Sequence, residues 1–211
     1  MKKYLSLISL SLLVVFVACT RQNPKYIGKD YGVFDIDQVS FNENLDTLFS
    51  RSPFFVITKK NSHFDTLQKK EIWTDTLLYT YRIPKAKVAG LYRFKNITVK
   101  DNVVSFTADK NKKFRKVDFS IYISTAEYDK LISLCKDFKD VTTEQVRKFN
   151  NNKYIILQKE EGQKQTTLYC LNNKTDIYNK DEGDYFIRIN VNDLRIKNDR
   201  FYELENNDIK H

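Results

Sequence analysis

Two spacings of hydrophobic residues succeed one another along the chain, and together they predict its elements. Phe41, Leu45, Leu48 and Phe49 fall at i, i+4, i+7 and i+8, one face of a helix of about ten residues. Ser40 and Glu43 open it in the form of a capping box, and Pro53 ends it. From Phe54 to Asp109 the period becomes two. Residues 54–58 are a short apolar run. Within 71–83, Trp73, Leu77, Tyr79, Tyr81 and Ile83 share one side, as in a half-buried strand closed by Pro84. Residues 63–70 fit a strand or a helical turn equally. Residues 91–99 and 103–108 flank Lys100-Asp101-Asn102 and predict a hairpin across that turn.

The clearest alternation is 113–123, where Val117, Phe119, Ile121 and Ile123 interleave with Asp118, Ser120 and Tyr122. It runs into Ser124-Thr125-Ala126-Glu127, a second capping box. Tyr128, Leu131, Ile132, Cys135 and Phe138 then mark a helical face. Residues 142–149 predict a further short helix with Thr142 or Thr143 as its cap. Strands return at 154–158, 166–171 and 185–191, the last with Tyr185, Ile187, Ile189 and Val191 on one side. Residues 194–196 and 201–204 pair across 197–200. Sequential strands joined by short polar turns predict an α+β fold: a mostly antiparallel sheet with about two to three short helices. Residues 31–205 form one domain, with 86–90 as its weakest joint, and 206–211 are a polar tail.

The first nineteen residues follow neither period. Lys2 and Lys3 precede an apolar run from Leu5 to Val17, short for a membrane span of about 20 residues and laid out as a secretory signal peptide. Its ending, Val17-Ala18-Cys19, resembles the lipobox of bacterial lipoproteins, with Phe16 where the commonest form has leucine. The resemblance implies that residues 1–18 are removed, that Cys19 is acylated and begins the mature chain, and that 19–30 form a lipid-anchored tether in the cell envelope. Thr20 to Asn23 lack the acidic residues of lipoproteins that reach the cell surface. Thr20 is not the aspartate that retains others at the inner membrane. The implied address is the periplasmic face of the outer membrane.

Charge changes this picture little. The formal charge of +9 becomes about +7 once Lys2 and Lys3 leave. The basic residues are scattered among acidic ones, and Lys, Asn, Ile, Tyr and Phe are abundant together, as AT-rich coding produces. An exported chain meets no nucleic acid. Lys110, Lys112, Lys113, Arg115 and Lys116 are the densest basic cluster; they form either a site for anionic headgroups or a loop that keeps a sheet edge soluble. With Cys19 committed to lipid, Cys135 and Cys170 remain. They are either a bridge closing a loop of about 35 residues in an oxidising compartment or two small core residues.

Catalytic constellations are scarce. No phosphate-cradling glycine motif and no G-x-S-x-G elbow occurs. His63 and His211 are the only histidines and stand in no ligand spacing, so no metal or cofactor is expected. Ser133-Leu134-Cys135-Lys136 formally matches the S-x-x-K of penicillin-recognising enzymes, but the partner motifs are missing and Ser133 falls mid-helix. Glu160-Glu161 and Asp181-Glu182 read as solvated turn charges. Asp-Thr-Leu occurs three times, placing Thr47, Thr66 and Thr76 in a tripeptide that resembles the O-glycosylation acceptor of exported Bacteroidota proteins. The expectation is a non-catalytic envelope module, accessory or immunity-type, partnered by the membrane through its lipid and by another envelope protein. An envelope hydrolase acting on glycan or peptide is the first alternative, and a lipid or small-ligand carrier the second.

Overall fold

Alternating apolar positions commit most of the described chain to strands. The computed structural model describes residues 25–65, 70–99, 103–149, 154–172 and 183–196. Cys19, Thr66, residues 201–204 and the 206–211 tail lie outside them. The strands are β1 (Phe34–Asp35), β2 (Phe55–Asp65), β3 (Lys70–Arg82), β4 (Tyr92–Phe94), β5 (Ile97–Val99), β6 (Ser105–Ala108), β7 (Phe114–Ile123), β8 (Lys139–Asp140), β9 (Tyr154–Glu161), β10 (Lys164–Asn172) and β11 (Tyr185–Asp193). Eight form one sheet in the order β2-β3-β6-β7-β11-β10-β9-β8, and β1-β4-β5 form a second. Every pairing is antiparallel except β1 with β4. With α1 (Leu45–Phe49), α2 (Thr125–Leu134) and α3 (Glu144–Phe149), the fold is α+β with few short helices.

Strand β7 organises the large sheet. Val117, Phe119, Ile121 and Ile123 are buried on one face and meet Val191, Ile189, Ile187 and Tyr185 of β11 in register. Against that face pack the small sheet, α1 and α2, and the buried residues form one cluster from Ile27 to Val191. Phe106 is its aromatic hub. Its ring lies 5.2 Å from Phe49 and 5.8 Å from each of Phe34, Tyr92 and Phe114, the spacing of edge-to-face and tilted ring pairs. Ser124 caps α2 with the reciprocal Glu127 bond that the sequence predicts, and Thr143 Oγ1 accepts from Val146 N–H at the start of α3.

Three expectations are corrected. The helix predicted over Ser40 to Phe49 is only five residues long. Glu43 does reach back to Ser40 N–H, but Phe41 takes a positive φ of 64°. Asn44 is the cap in use, accepting from Thr47 N–H. The strands of the hairpin predicted over 91–108 do not pair with each other: β5 folds back on β4 across Lys95-Asn96. Both turn residues have positive φ (47° and 63°), so Phe94 pairs with Ile97 across a two-residue turn. Residues 105–108 join the other sheet, between β3 and β7. Leu194–Ile196 is a 3₁₀ turn, not a strand.

Candidate interaction surface

The sequence's candidate residues are dispersed over the fold. The five basic residues of 110–116 turn to different partners. Asp109 Oδ1 accepts from the N–H groups of Asn111 and Lys113 and fixes the turn. Lys112, at φ 60°, sends Nζ to 3.8 Å from the centre of the Tyr79 ring and donates to Tyr81 Oη at 3.1 Å. Tyr81 Oη in turn donates to Asp46 Oδ1 at 2.5 Å. Burial first, then the Asp46 bond, push the Tyr81 pKa up. Lys116 is buried, 3.7 Å from Asp118. Lys110 and Lys113 are exposed.

Arg115 belongs to a cluster that sequence reasoning missed. Its Nε and Nη2 donate to Asp109 Oδ2, at 2.9 and 2.8 Å, and its Nη1 to Asp193 Oδ2 at 3.2 Å. Asp193 is fully buried. It also accepts from the backbone N–H and the Nε of Arg195. Arg195 continues to Phe41 O and Asn42 Oδ1, each at 3.1 Å. Two carboxylates face two guanidiniums, so the charges balance. The cluster ties the end of β11 to the β6–β7 turn and to the chain ahead of α1. One signal was available: Asp193 extends the inward series of Ile187, Ile189 and Val191, where a carboxylate requires a cationic partner.

Cys135 and Cys170 are free and buried, so the bridge weighed from the sequence is absent from this structure. Each thiol packs in the apolar cluster as a small hydrophobic group. Burial pushes their pKa values up to about 11 and about 12. Of the acceptor tripeptides, Thr47 is exposed on α1 while its neighbour Asp46 is held by Tyr81. Thr76 lies on β3 where 74–76 oppose Asn61 alone, an irregularity in the β2–β3 register. His63 lies on β2 opposite Ile72, and His211 is outside the described residues. Ser133 Oγ donates to Lys130 O on the exposed side of α2. Glu160 accepts from Gln165, Glu161 pairs with Lys159, and Asp181-Glu182 lie outside the described residues. Among the described residues no three His, Cys, Asp or Glu side chains gather to hold a metal ion.

The surface with interaction geometry is the β2 side of the large sheet. β2 and β3 pair from Phe55↔Arg82 to Asp65↔Lys70, whereas β3 pairs with β6 only through Tyr79, Thr80 and Tyr81. Beyond Tyr79 the two strands run on as a ribbon, about 25 Å long at 3.3 Å per residue. Among the described residues β2 pairs with β3 alone, so its outer edge presents peptide groups along the strand. At its base Phe54, Phe55 and Val56 are 36–43% exposed, far more than core residues. The large sheet's other face is polar over its middle: Ser105, Asp118, Asn190 and Thr167 lie opposite one another in register. It turns aromatic at one end, where the Tyr122 and Phe186 rings are 5.0 Å apart. No helix among the described residues is long and apolar enough to cross a membrane. No family model, no curated protein and no solved structure matches the chain.

Proposed function

We propose that the chain is a lipoprotein of the bacterial envelope whose folded body is a non-catalytic binding module. In this reading, acylated Cys19 holds it at the periplasmic face of the outer membrane. The partner is another envelope protein, taken up in an accessory or immunity-type role. The single observation that carries the binding reading is the ribbon, which runs past the sheet that supports it. A two-stranded ribbon alone is marginally stable in water. A partner strand added to the β2 edge supplies main-chain hydrogen bonds and a third strand together. The leader and lipobox support the address, and the repeated Asp-Thr-Leu supports sugar attachment, most directly at the exposed Thr47.

Site-specific photocrosslinking in the native envelope tests this. A benzophenone side chain replaces Thr58 on the β2 edge, with Gln163 in the exposed β9–β10 turn as control. The module reading requires a discrete protein adduct from position 58 and none from 163. Adducts at neither position, together with shortening of an envelope glycan by the purified protein, establish the hydrolase instead.

A further inference from the structure

The end of the domain nearest the tether combines exposed aromatics with an excess of positive charge. Tyr31, Val33, Phe54 and Phe55 are each 36–43% exposed. Tyr31 adjoins the 51–52 turn: a Cβ on Gly28 would meet Tyr31, Ser52 Oγ and Arg51 O at 3.2–3.4 Å, and Phe54 follows Ser52 by two residues. Tyr26 knits the group, its ring 5.2 Å from that of Tyr31 and beneath the cations of Lys25 and Arg51. The 84–90 loop flanks the same end, because Arg82 pairs with Phe55 and Leu91 O accepts from Phe34 N–H. Lys25, Lys29, Arg51, Lys85 and Lys87 are exposed across these three segments, and Asp30 is their one acidic residue. Five cations less one anion leave +4.

We propose that this end rests on the anionic headgroup surface of the bilayer that carries the Cys19 lipid. The inference depends on the acylation reading above. Five residues lie between Cys19 and Lys25, so the six steps of chain allow at most about 20 Å between the acylated residue and the patch. A bilayer surface is therefore always within reach. Tyrosine and phenylalanine suit the water–hydrocarbon boundary, and clustered Lys and Arg are drawn to anionic lipid within a Debye length of about 8 Å. The β2–β3 ribbon leaves from Phe55, which sets its tip about 33 Å along the strand from the membrane-bound base.

Depth-dependent quenching tests it on the full lipidated chain in phosphatidylglycerol-containing proteoliposomes. In a Trp73→Phe background, Tyr31→Trp and Val33→Trp report on the patch. Gln163→Trp, in the exposed β9–β10 turn, is the control. Brominated acyl chains are expected to quench Trp at 31 and 33 at least about twofold and leave 163 unchanged, because only the patch enters the interfacial belt. Arg51→Glu with Lys85→Glu should reverse the quenching. Equal quenching at all three positions, or none, overturns the proposal. So does emission at 31 that responds to protein concentration and not to bromine, which assigns the patch to a second copy. The acyl mass at Cys19, read on the same sample, separates the two failures: lipid present without quenching sinks only this inference.

Discussion

Asp193→Asn isolates the buried charge cluster. The substitution keeps the size of the side chain but removes the charge and turns an amide nitrogen toward two guanidiniums. Arg115 is not stranded, since Asp109 still accepts two of its N–H groups. The Arg195 side chain, 36% exposed, retains solvent and Phe41 O. The cost thus falls between that of an exposed pair, about 0.2–1 kcal/mol, and that of a stranded buried charge, about 3–5 kcal/mol. We expect about 2–3 kcal/mol, a fall in Tm of roughly 4–12 °C for a domain of this size. Urea unfolding followed by circular dichroism measures it. A cycle with Arg195→Ala should show a coupling of about 1 kcal/mol or more. Because Asp193 is dry, the loss should persist at high salt, where exposed pairs are screened. A loss below about 0.5 kcal/mol, or an effect that vanishes with salt, refutes the assignment of the cluster as a structural clasp.

Other consequences follow from burial and backbone geometry. A thiol reagent at pH 8 should leave Cys135 and Cys170 unreacted in the native protein and count both in denaturant without reductant; a count of zero in denaturant means a bridge. Stability should fall as pH rises from about 9 to about 12. Cys135, Cys170, Tyr128 and Tyr154 keep their protons up to about 11, 12, 12 and 12 in the fold, but lose them near 9 or 10 once unfolded, so the unfolded state binds fewer protons. Each such group costs roughly 1.4 kcal/mol per pH unit across its window, and unfolding midpoints that stay flat to pH 11 contradict this. Gly183→Ala should destabilise by about 1–3 kcal/mol, because its Cβ would sit 2.9 Å from Ile123 N at a φ of 148°; an unchanged midpoint contradicts that packing.

Much of the fold is legible locally. The run from β7 into α2 carries its own signals, a period of two and a capping box that closes within four residues. The α1 start misleads because two residues, Ser40 and Asn44, both qualify as caps, and the positive φ of Phe41 leaves no trace in the spacing. The hairpin turn is missed because Lys95-Asn96 lacks the glycine that usually marks such a turn, while the polar run 100–102 draws the prediction to itself. Nothing short-range foretells β1, two residues paired with β4 more than fifty positions away. Arg115 and Asp193 are likewise 78 residues apart, so only the fold brings them together. The ribbon is legible in part, since Glu71 to Ile83 reads as a strand, but its overrun past β6 depends on how few residues β6 supplies.

In the reading proposed above, the folded body works at a bilayer, held by Cys19. Intact-mass measurement of the protein extracted from its own cells decides whether it does. The expected chain begins at Cys19 and carries the mass of a diacylglycerol, with Cys19→Ser shifting the protein out of the membrane fraction. A soluble chain that retains residues 1–18 and has no added lipid contradicts it.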